Sequence, residues 1–234
     1  MRKLVVVTGG TKGIGRAIVD KFSSQGFNII TCSRSSADLG MLKEEMEEKH
    51  DITIETFQAD LSDVDEVKKF SNFIGEFGQP VEVLVNNAGL FIPGEVINEE
   101  EGNLEKIMNA NLFSAYHLTR SIVGGMIKRK KGHIFNMCSI ASFMAYPNGG
   151  SYTISKFALL GFSKCLRAEL INSGVRVTAV MPGATYTDSW AGSPLPEERF
   201  MPSEDIASLV YASYSLSERS VVEDIIIRPQ MGDL

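Results

Sequence analysis

The sequence has 234 residues, of which 44% are apolar and 22% charged, and its formal net charge at pH 7 is −6. This length fits one α/β domain, and the acidic balance argues against a nucleic-acid or anionic-membrane surface. No apolar run approaches the roughly 20 residues of a membrane span. The cysteines Cys32, Cys138 and Cys165 show no paired spacing, so we expect a cytoplasmic protein with reduced thiols.

Short apolar runs alternate with longer helical segments along the whole chain. The runs predict strands at 4–8, 28–32, 53–59, 83–85, 133–138, 175–180 and 224–228. Helices are predicted near 13–25, 38–49, 63–77, 103–129, 152–172 and 203–216. Most of the strands are apolar on both faces, which is typical of a parallel sheet covered by helices. The alternation predicts one Rossmann-type domain, a doubly wound, seven-stranded parallel sheet with helices on both faces.

The predicted domain, residues 1–234, divides into two functional halves. We expect a cofactor half at about 1–90 and a catalytic and substrate half at about 91–234. Residues from about 182 to 202 form the only long stretch without periodicity, and they carry four prolines. A long irregular segment in a compact domain is usually a lid or a disordered stretch. We therefore predict a mobile substrate loop at about 184–202.

A glycine-rich turn follows the first strand and opens the first helix. It reads Thr-Gly-Gly-Thr-Lys-Gly-Ile-Gly over residues 8–15, with glycines spaced at Gly9, Gly13 and Gly15. Glycines let the backbone turn sharply and approach a pyrophosphate closely, and the helix N-terminus offers free N–H groups to that anion. The strand, the spaced glycines and the helix together predict a dinucleotide site.

The end of the second strand indicates which dinucleotide is bound. An enzyme that uses NAD tends to place a carboxylate there for the ribose 2′-hydroxyl. This sequence instead has Ser33 and Arg34, and Lys12 in the glycine-rich turn adds a second cation. Because arginine suits bidentate phosphate recognition, we predict NADP(H). The alternative is that Arg34 is only a surface residue.

A tyrosine and a lysine lie four residues apart at the start of a predicted helix. This spacing puts Tyr152 and Lys156 on one helix face, where the ammonium is expected to lower the pKa of the phenol by favouring the phenolate. Such a tyrosine can exchange a proton with an alkoxide. Ser139 follows the fifth predicted strand, thirteen residues before Tyr152. Its hydroxyl either orients a substrate carbonyl or caps a turn.

These motifs, in this order and spacing, resemble those of the short-chain dehydrogenases/reductases along nearly the whole chain. The resemblance implies that Tyr152 is the general acid/base and that Lys156 lowers its pKa and binds the nicotinamide ribose. It implies that Ser139 orients the carbonyl and that Asn111 holds a proton-relay water. The residues implied in cofactor binding are Gly9, Thr11, Lys12, Gly13, Ile14, Gly15, Ser33, Arg34, Asp60, Leu61, Asn87, Ala88, Gly89, Tyr152, Lys156, Pro182, Gly183, Thr185 and Thr187.

No metal site is expected, because His50, His117 and His133 are dispersed and share no ligand spacing. The predicted function is NADPH-dependent reduction of a ketone or aldehyde to an alcohol. Apolar residues near the predicted pocket loops favour an apolar or aromatic ketone, although core or interface packing explains Phe143 and Tyr146 equally well. These residues are Phe91, Phe143, Met144, Tyr146, Trp190, Phe200 and Met201.

Two other functions stay open. One is a 3-oxoacyl-carrier-protein reductase, whose acidic carrier protein would face the basic run at 128–131; otherwise that run is a solvated helix end. The other is a dinucleotide-sensing protein without turnover. Small molecules are the expected partners, with no nucleic acid and no membrane. The helices near 103–129 and 152–172 resemble the subunit interface of the family, so we expect a homodimer or homotetramer.

Overall fold

The computed structural model describes residues 2–187 and 194–233. Within these residues seven strands form one parallel sheet in the order β3-β2-β1-β4-β5-β6-β7. Their bounds are β1 (Leu4–Thr8), β2 (Asn28–Ser33), β3 (Ile54–Gln58), β4 (Val81–Asn86), β5 (Gly132–Met137), β6 (Val175–Pro182) and β7 (Asp224–Ile227). The chain first places β2 and β3 on one side of β1 and then returns to place β4 on the other side, so the strand order reverses between β1 and β4. Ligands of such sheets bind in the crevice beyond the carboxyl ends of the strands at that point.

Helices cover both faces of the sheet, so the predicted fold class is confirmed. They are α1 (Gly13–Ser24), α2 (Ser36–Lys49), α3 (Val64–Glu76), α4 (Asn103–Met108), α5 (Ser114–Arg129), α6 (Gly150–Leu170) and α7 (Ser203–Ser215). Short 3-10 turns lie at Ile140–Ser142 and Glu197–Arg199. None of the helices in the described ranges is both long and apolar enough to cross a lipid bilayer.

Each face of the sheet has its own apolar core. Along β1, Val5 and Val7 point into the core shared with α1, α2 and α7. Leu4 and Val6 point into the opposite core, which α3, α5 and α6 complete. Because successive residues of a strand face opposite sides, a strand buried on both faces must be apolar throughout. This explains why β1 reads as an unbroken apolar run.

The predicted helix at 103–129 is continuous in direction but not in type. A π-helical turn, Asn109–Phe113, separates α4 from α5. Single π-helical turns are rare and occur frequently at functional sites, because the extra residue redirects a side chain. Here the turn carries Asn111, which is buried.

A second irregular segment, which the sequence analysis did not identify, runs from residue 90 to residue 102, between β4 and α4. It contains turns and one isolated bridge, Gly94 to Gly149. The bridge ties it to the residues that precede α6. The expectation that 182–202 is the only long irregular stretch is therefore wrong.

The predicted substrate loop is described in part, as residues 184–187 and 194–202. An isolated bridge joins Thr185 to Met201. It draws Met201 into the core beside Val180 and Ile206, while Phe200 is also buried and packs near Tyr186. Met201 therefore packs in the core and Phe200 near Tyr186, while the expectation that they lie near a substrate pocket stays a prediction. Trp190 lies outside the described residues.

Candidate active site

The glycine-rich turn forms a cradle that only glycine permits. Gly9 and Gly13 have φ values of +68° and +52°, in the left-handed region that favours glycine. A Cβ on Gly15 would lie 2.2 Å from the carbonyl oxygen of Gly9. The helix α1 begins behind the cradle without a side-chain cap and without an acidic residue in its first turn. Its first N–H groups are thus available to an anion, and the cradle fits a pyrophosphate.

The end of β4 holds this cradle in place. The Nδ2 amide of Asn87 donates to the carbonyl oxygens of Thr8 (2.9 Å) and Gly9 (3.2 Å). The Thr8 hydroxyl in turn accepts from the backbone N–H groups of Asn87 and Ala88, each at 2.9 Å. Asn87 and Ala88, two of the predicted cofactor residues, therefore fix the shape of the glycine-rich turn. Gly89 comes next, at the mouth of the crevice.

Thr187, another predicted cofactor residue, lies against the same cradle. A Cβ on Gly13 would meet its Cγ2 atom at 2.9 Å. Pro182 ends β6, and the N–H of Gly183 donates to Ile227, so this segment leaves the sheet at a fixed position. The loop after β6 thus borders the crevice opposite β4.

The corner beyond β2 carries the cations expected at a 2′-phosphate. Arg34 is exposed, and Lys12 lies 3.4 Å from Asp38 in the first turn of α2. Burial raises the pKa of Asp60, but hydrogen bonds from Ser62 and the charge of Arg34 outweigh it, so this pKa is lowered. Asp60 and Arg34 are therefore neighbours, as both cofactor assignments require. Asp38 was not identified from the sequence, because it lies in the first turn of α2 and not at the end of β2.

Tyr152 and Lys156 lie one turn apart on α6, on the same side of the helix. The Lys156 Nζ atom is 5.6 Å from the centroid of the Tyr152 ring. It is buried and donates to the main-chain carbonyl of Met137, at 2.7 Å, at the end of β5. The side chain of Lys156 is thus anchored to the carboxyl end of β5.

The pKa values of this pair differ from the expectation. Burial raises the pKa of Tyr152, and a hydrogen bond from Ser139 offsets this only in part. Burial also lowers the pKa of Lys156 to about 8. The predicted lowering of the phenol pKa is therefore wrong for the chain by itself. The physical reason is that burial disfavours the charged phenolate, and the Ser139 hydrogen bond is too weak to offset this.

Ser139 both caps a turn and faces the phenol. Its Oγ atom accepts from the N–H of Ala141 at 3.1 Å, and the Ser142 hydroxyl accepts from the N–H of Ser139 at 3.2 Å. This capping box fixes the 3-10 turn after β5. The Ser139 side chain also lies near enough to Tyr152 to lower its pKa. The two interpretations from the sequence are therefore compatible.

Asn111 connects the segment that follows β4 to helix α6. Its side chain accepts from the N–H of Leu90 (2.6 Å) and donates to the carbonyl oxygen of Leu90 (3.0 Å) and to the Ser155 hydroxyl (2.9 Å). A Cβ on Gly89 would lie 3.3 Å from Asn111 Oδ1 and 3.7 Å from Lys156 Nζ. Asn111 and Lys156 thus converge on Gly89. The side-chain amide itself is already bonded to protein groups.

A buried polar chain, not identified from the sequence, anchors α6 to the sheet. The Nδ2 amide of Asn86 donates to Thr119 (2.9 Å) and to Asn136 (2.8 Å), and Asn136 donates to Ser163 on α6 (2.8 Å). Each residue is buried. Buried polar groups bonded in this way fix one arrangement of their elements. Asn86 therefore helps to fix the position of α6 through Asn136 and does not face the crevice.

Aromatic side chains surround the phenol. The Phe91 ring meets the Tyr152 ring edge-on with centroids 5.0 Å apart. Burial raises the pKa of Tyr146 to about 12, and the neighbouring Tyr152 contributes to this rise. Phe143, Tyr146 and Phe91 are each partly exposed. Phe91 and Tyr146 thus form an aromatic rim beside the phenol, which favours the pocket interpretation for Tyr146, whereas both interpretations of Phe143 stay open.

The basic run at 128–131 lies away from this site. Arg129 ends α5 and donates to the carbonyl oxygen of Val81, and Lys131 lies 3.5 Å from Glu82. Lys131 immediately precedes β5, whereas Ser139 follows it. A six-residue strand spans about 20 Å, so the run and the phenol lie at opposite edges of the sheet. The cations at 128–131 are therefore explained as the solvated C-terminal end of α5.

The remaining candidate groups are structural. Burial raises the pKa of the Cys138 thiol to about 11, which makes it a packing residue. His133 is buried and stacks on Phe135. In residues 2–187 and 194–233, no group of three or more His, Cys, Asp or Glu side chains is placed to hold a metal ion.

Comparison with known proteins gives a consistent result. Residues 3–197 match the family model described as short chain dehydrogenase. The chain is 34% identical over 243 residues to sepiapterin reductase from Chlorobaculum tepidum, with 100% of this chain and 99% of that protein covered. It is 32% identical over 192 residues to an (S)-acetoin-forming diacetyl reductase from Staphylococcus epidermidis, with 81% and 74% covered. A metagenomic short-chain oxidoreductase solved in complex with NADP matches with a TM-score of 0.84 at 29% identity, covering 97% of each chain.

Proposed function

The chain belongs to the short chain dehydrogenase family, and we propose on this basis that it is an NADPH-dependent reductase of a ketone or aldehyde. The observation that carries the proposal is the meeting of Tyr152, Ser139 and Lys156 at the crevice bordered by the glycine cradle. A sensing protein without turnover would need only the cradle. The complete proton-transfer group supports catalysis.

The residues divide the work of the reaction. Bound NADPH would supply the hydride, and the protein orients and polarises the carbonyl. Ser139 donates a hydrogen bond to the carbonyl oxygen, and Tyr152 donates the proton that completes the alcohol. Lys156, when protonated, stabilises the phenolate that Tyr152 leaves behind. Asn111 holds Leu90 and Ser155, and so fixes the floor beside Lys156.

Two observations support NADP(H) over NAD(H). Arg34 and Lys12 place positive charge at the corner where a 2′-phosphate would bind, and Arg34 is free to form a bidentate contact from the surface. The similar metagenomic oxidoreductase was solved with NADP. The carboxylate of Asp38 is already engaged by Lys12.

The aromatic rim favours an apolar or planar carbonyl substrate. The Phe91 ring lies edge-on against the phenol, and Tyr146 is its neighbour. Two of the similar proteins are named as reductases of sepiapterin and of diacetyl, both of which carry carbonyl groups. The position of the basic run gives no support to a carrier-protein substrate.

We also propose that the chain forms a homodimer or homotetramer. Apolar side chains on the π-helical turn, α5 and α6 are exposed in the single chain, among them Phe113, Ile127, Ile154 and Phe157. Exposed apolar residues on these helices are suited to contact with a second copy of the same surface.

The test is a substrate panel that follows NADPH absorbance, with diacetyl, sepiapterin, aryl ketones and an acetoacetyl thioester. We expect reduction of at least one of the first three, with NADPH preferred over NADH by tenfold or more in kcat/KM. Preference for the thioester would instead identify the lipid-synthesis reductase. Tight NADPH binding without turnover of any compound would identify a sensing protein, and preference for NADH would overturn the cofactor assignment.

A further inference from the structure

The first turn of α6, which carries Tyr152, has an unusual beginning. It starts at Gly150 after Gly149, with no side-chain cap and no acidic residue in its first turn. Helix N-termini carry partial positive charge and unpaired N–H groups, which an acceptor or a negative charge stabilises. A 21-residue helix that holds a proton donor in its first turn therefore depends on another part of the chain.

The irregular segment 90–102 supplies that negative charge. The Ser151 hydroxyl, buried in the first turn of α6, donates to Oε1 of Glu99. The backbone of Glu99 is fixed within its own segment, because its N–H donates to the carbonyl oxygen of Glu95 at 2.8 Å. Ser151 is the residue next to Tyr152. Glu99 thus contacts the helix one residue from the proton donor.

Backbone contacts tie the same two segments. The N–H of Gly94 donates to Asn148 at 3.0 Å, and the N–H of Gly150 donates to Gly94 at 2.9 Å. A Cβ on Gly150 would lie 2.8 Å from the carbonyl oxygen of Gly94, and a Cβ on Gly94 would lie 3.0 Å from the Cβ of Glu99. A side chain at Gly94 or Gly150 would therefore push the segment 90–102 away from the start of α6.

The segment also contacts the phenol directly. Phe91 packs edge-on against Tyr152. The backbone N–H and carbonyl groups of Leu90 are both hydrogen-bonded to the side chain of Asn111. The segment therefore touches the catalytic machinery at its beginning and reaches the N-terminus of α6 at Glu99. Rotation of the first turn of α6 would move Tyr152 relative to Phe91 and Ser139.

We propose that Glu99 is a positioning residue of the active site. Its carboxylate accepts a hydrogen bond from the Ser151 hydroxyl and supplies the negative charge that the start of α6 lacks. Both interactions hold Tyr152 in place beside Phe91 and Ser139. Glu99 does not contact the reacting atoms. Its effect is therefore on the orientation of the phenol, while the glycine cradle is unaffected. The inference rests on the proposed function, since it assigns Tyr152 as the proton donor.

The test compares E99A, E99Q, S151A and the double variant E99A/S151A, with E100A as the matched control, because Glu100 is an exposed neighbour in the same segment. The assay uses NADPH and the compound of the panel above that is reduced fastest. We expect E99A and S151A each to lower kcat about tenfold, with KM for NADPH within twofold of the original. The double variant should be no worse than the poorer single variant. E99Q keeps the hydrogen-bond acceptor and loses only the charge, so kcat should fall by no more than about threefold, and E100A should be unchanged.

Hydrogen exchange of the intact protein provides a readout without substrate. The amides of residues 150–153 should exchange faster in E99A and S151A than in E100A. Unchanged kcat and exchange in E99A, losses that multiply in the double variant, or equal damage in E99Q and E99A would each overturn the proposal. If no carbonyl compound is reduced, the proposed function fails, and the exchange measurement alone still decides whether Glu99 holds α6.

Discussion

The surroundings of Lys156 make its charge sensitive to pH. It is buried, its ammonium donates to Met137, and burial lowers its pKa to about 8. The chain thus holds a cation near the point of losing its proton, 5.6 Å from the centroid of the Tyr152 ring. In reduction Tyr152 gives up a proton, so a protonated Lys156 stabilises the product of that step. Loss of the lysine proton removes this stabilisation.

The rate of carbonyl reduction should therefore fall as pH rises through about 8. The sign follows because Lys156 is charged below its pKa and neutral above it. K156R should move the fall to higher pH, since a guanidinium keeps its proton, whereas K156M should be slow at every pH. The measurement is kcat/KM against pH from 6 to 10, with K164M, an exposed lysine of α6, as control. A profile for K156M that still falls near pH 8 would remove Lys156 from this role.

At this scale the sequence was informative about residue types and less so about their environment. A spacing of four predicts that Tyr152 and Lys156 share a helix face, and they do. The same spacing contains no information about burial, which here reverses the expected direction of the phenol pKa. The pairing of Glu99 with Ser151 joins residues 52 positions apart, so no local pattern could indicate it.

Among the elements, the glycine cradle was the most predictable and the π-helical turn the least. Glycine at a strand-to-helix junction has few alternative explanations, and Gly9 and Gly13 do have positive φ values. The extra residue of a π-helical turn leaves an apolar periodicity nearly unchanged, so Asn109–Phe113 read as part of one helix. The segment 90–102 is held by backbone bridges and tight glycine contacts, which the side-chain pattern does not encode.

A matched pair of glycine substitutions tests the cradle. In G15A the new Cβ would lie 2.2 Å from the Gly9 carbonyl oxygen and 2.4 Å from the Asn87 amide, so the turn must shift. We expect NADPH affinity to fall by tenfold or more, together with a lower Tm. Gly40 lies in α2 with nothing within 4 Å of a built Cβ, so G40A should raise the free energy of unfolding by about 0.5–1 kcal/mol. Fluorescence titration and thermal unfolding give both results, and unchanged NADPH binding in G15A would contradict the cradle.

For the whole molecule, the site is assembled from both halves of the sheet. The cradle comes from the β1 side and the proton-transfer group from β5 and α6, which meet where the strand order reverses. The alternation of strands and helices was sufficient to predict this architecture, because right-handed crossovers leave few other arrangements. The oligomeric state could not be predicted in the same way, because a surface that binds a second copy has the same apolar composition as many monomer surfaces.

The proposed oligomer has a direct test. Phe157 is exposed on α6 in the single chain, and a charge there would be desolvated at an interface between copies. Light scattering of the original protein should give a dimer or tetramer mass, and F157E should shift it toward the monomer. M41E places the same charge on exposed α2 and should leave the mass unchanged. A monomeric original protein would contradict the proposed assembly.

The most direct test of the central claim, that Tyr152 donates the proton in carbonyl reduction, is the turnover of Y152F with NADPH. Phenylalanine keeps the ring that packs against Phe91 and removes only the hydroxyl. General acid catalysis contributes roughly 10²- to 10⁴-fold, so kcat should fall by that amount while the Kd for NADPH stays within about twofold. A variant that turns over at the original rate, or one that loses activity only because it no longer binds NADPH, would contradict the account.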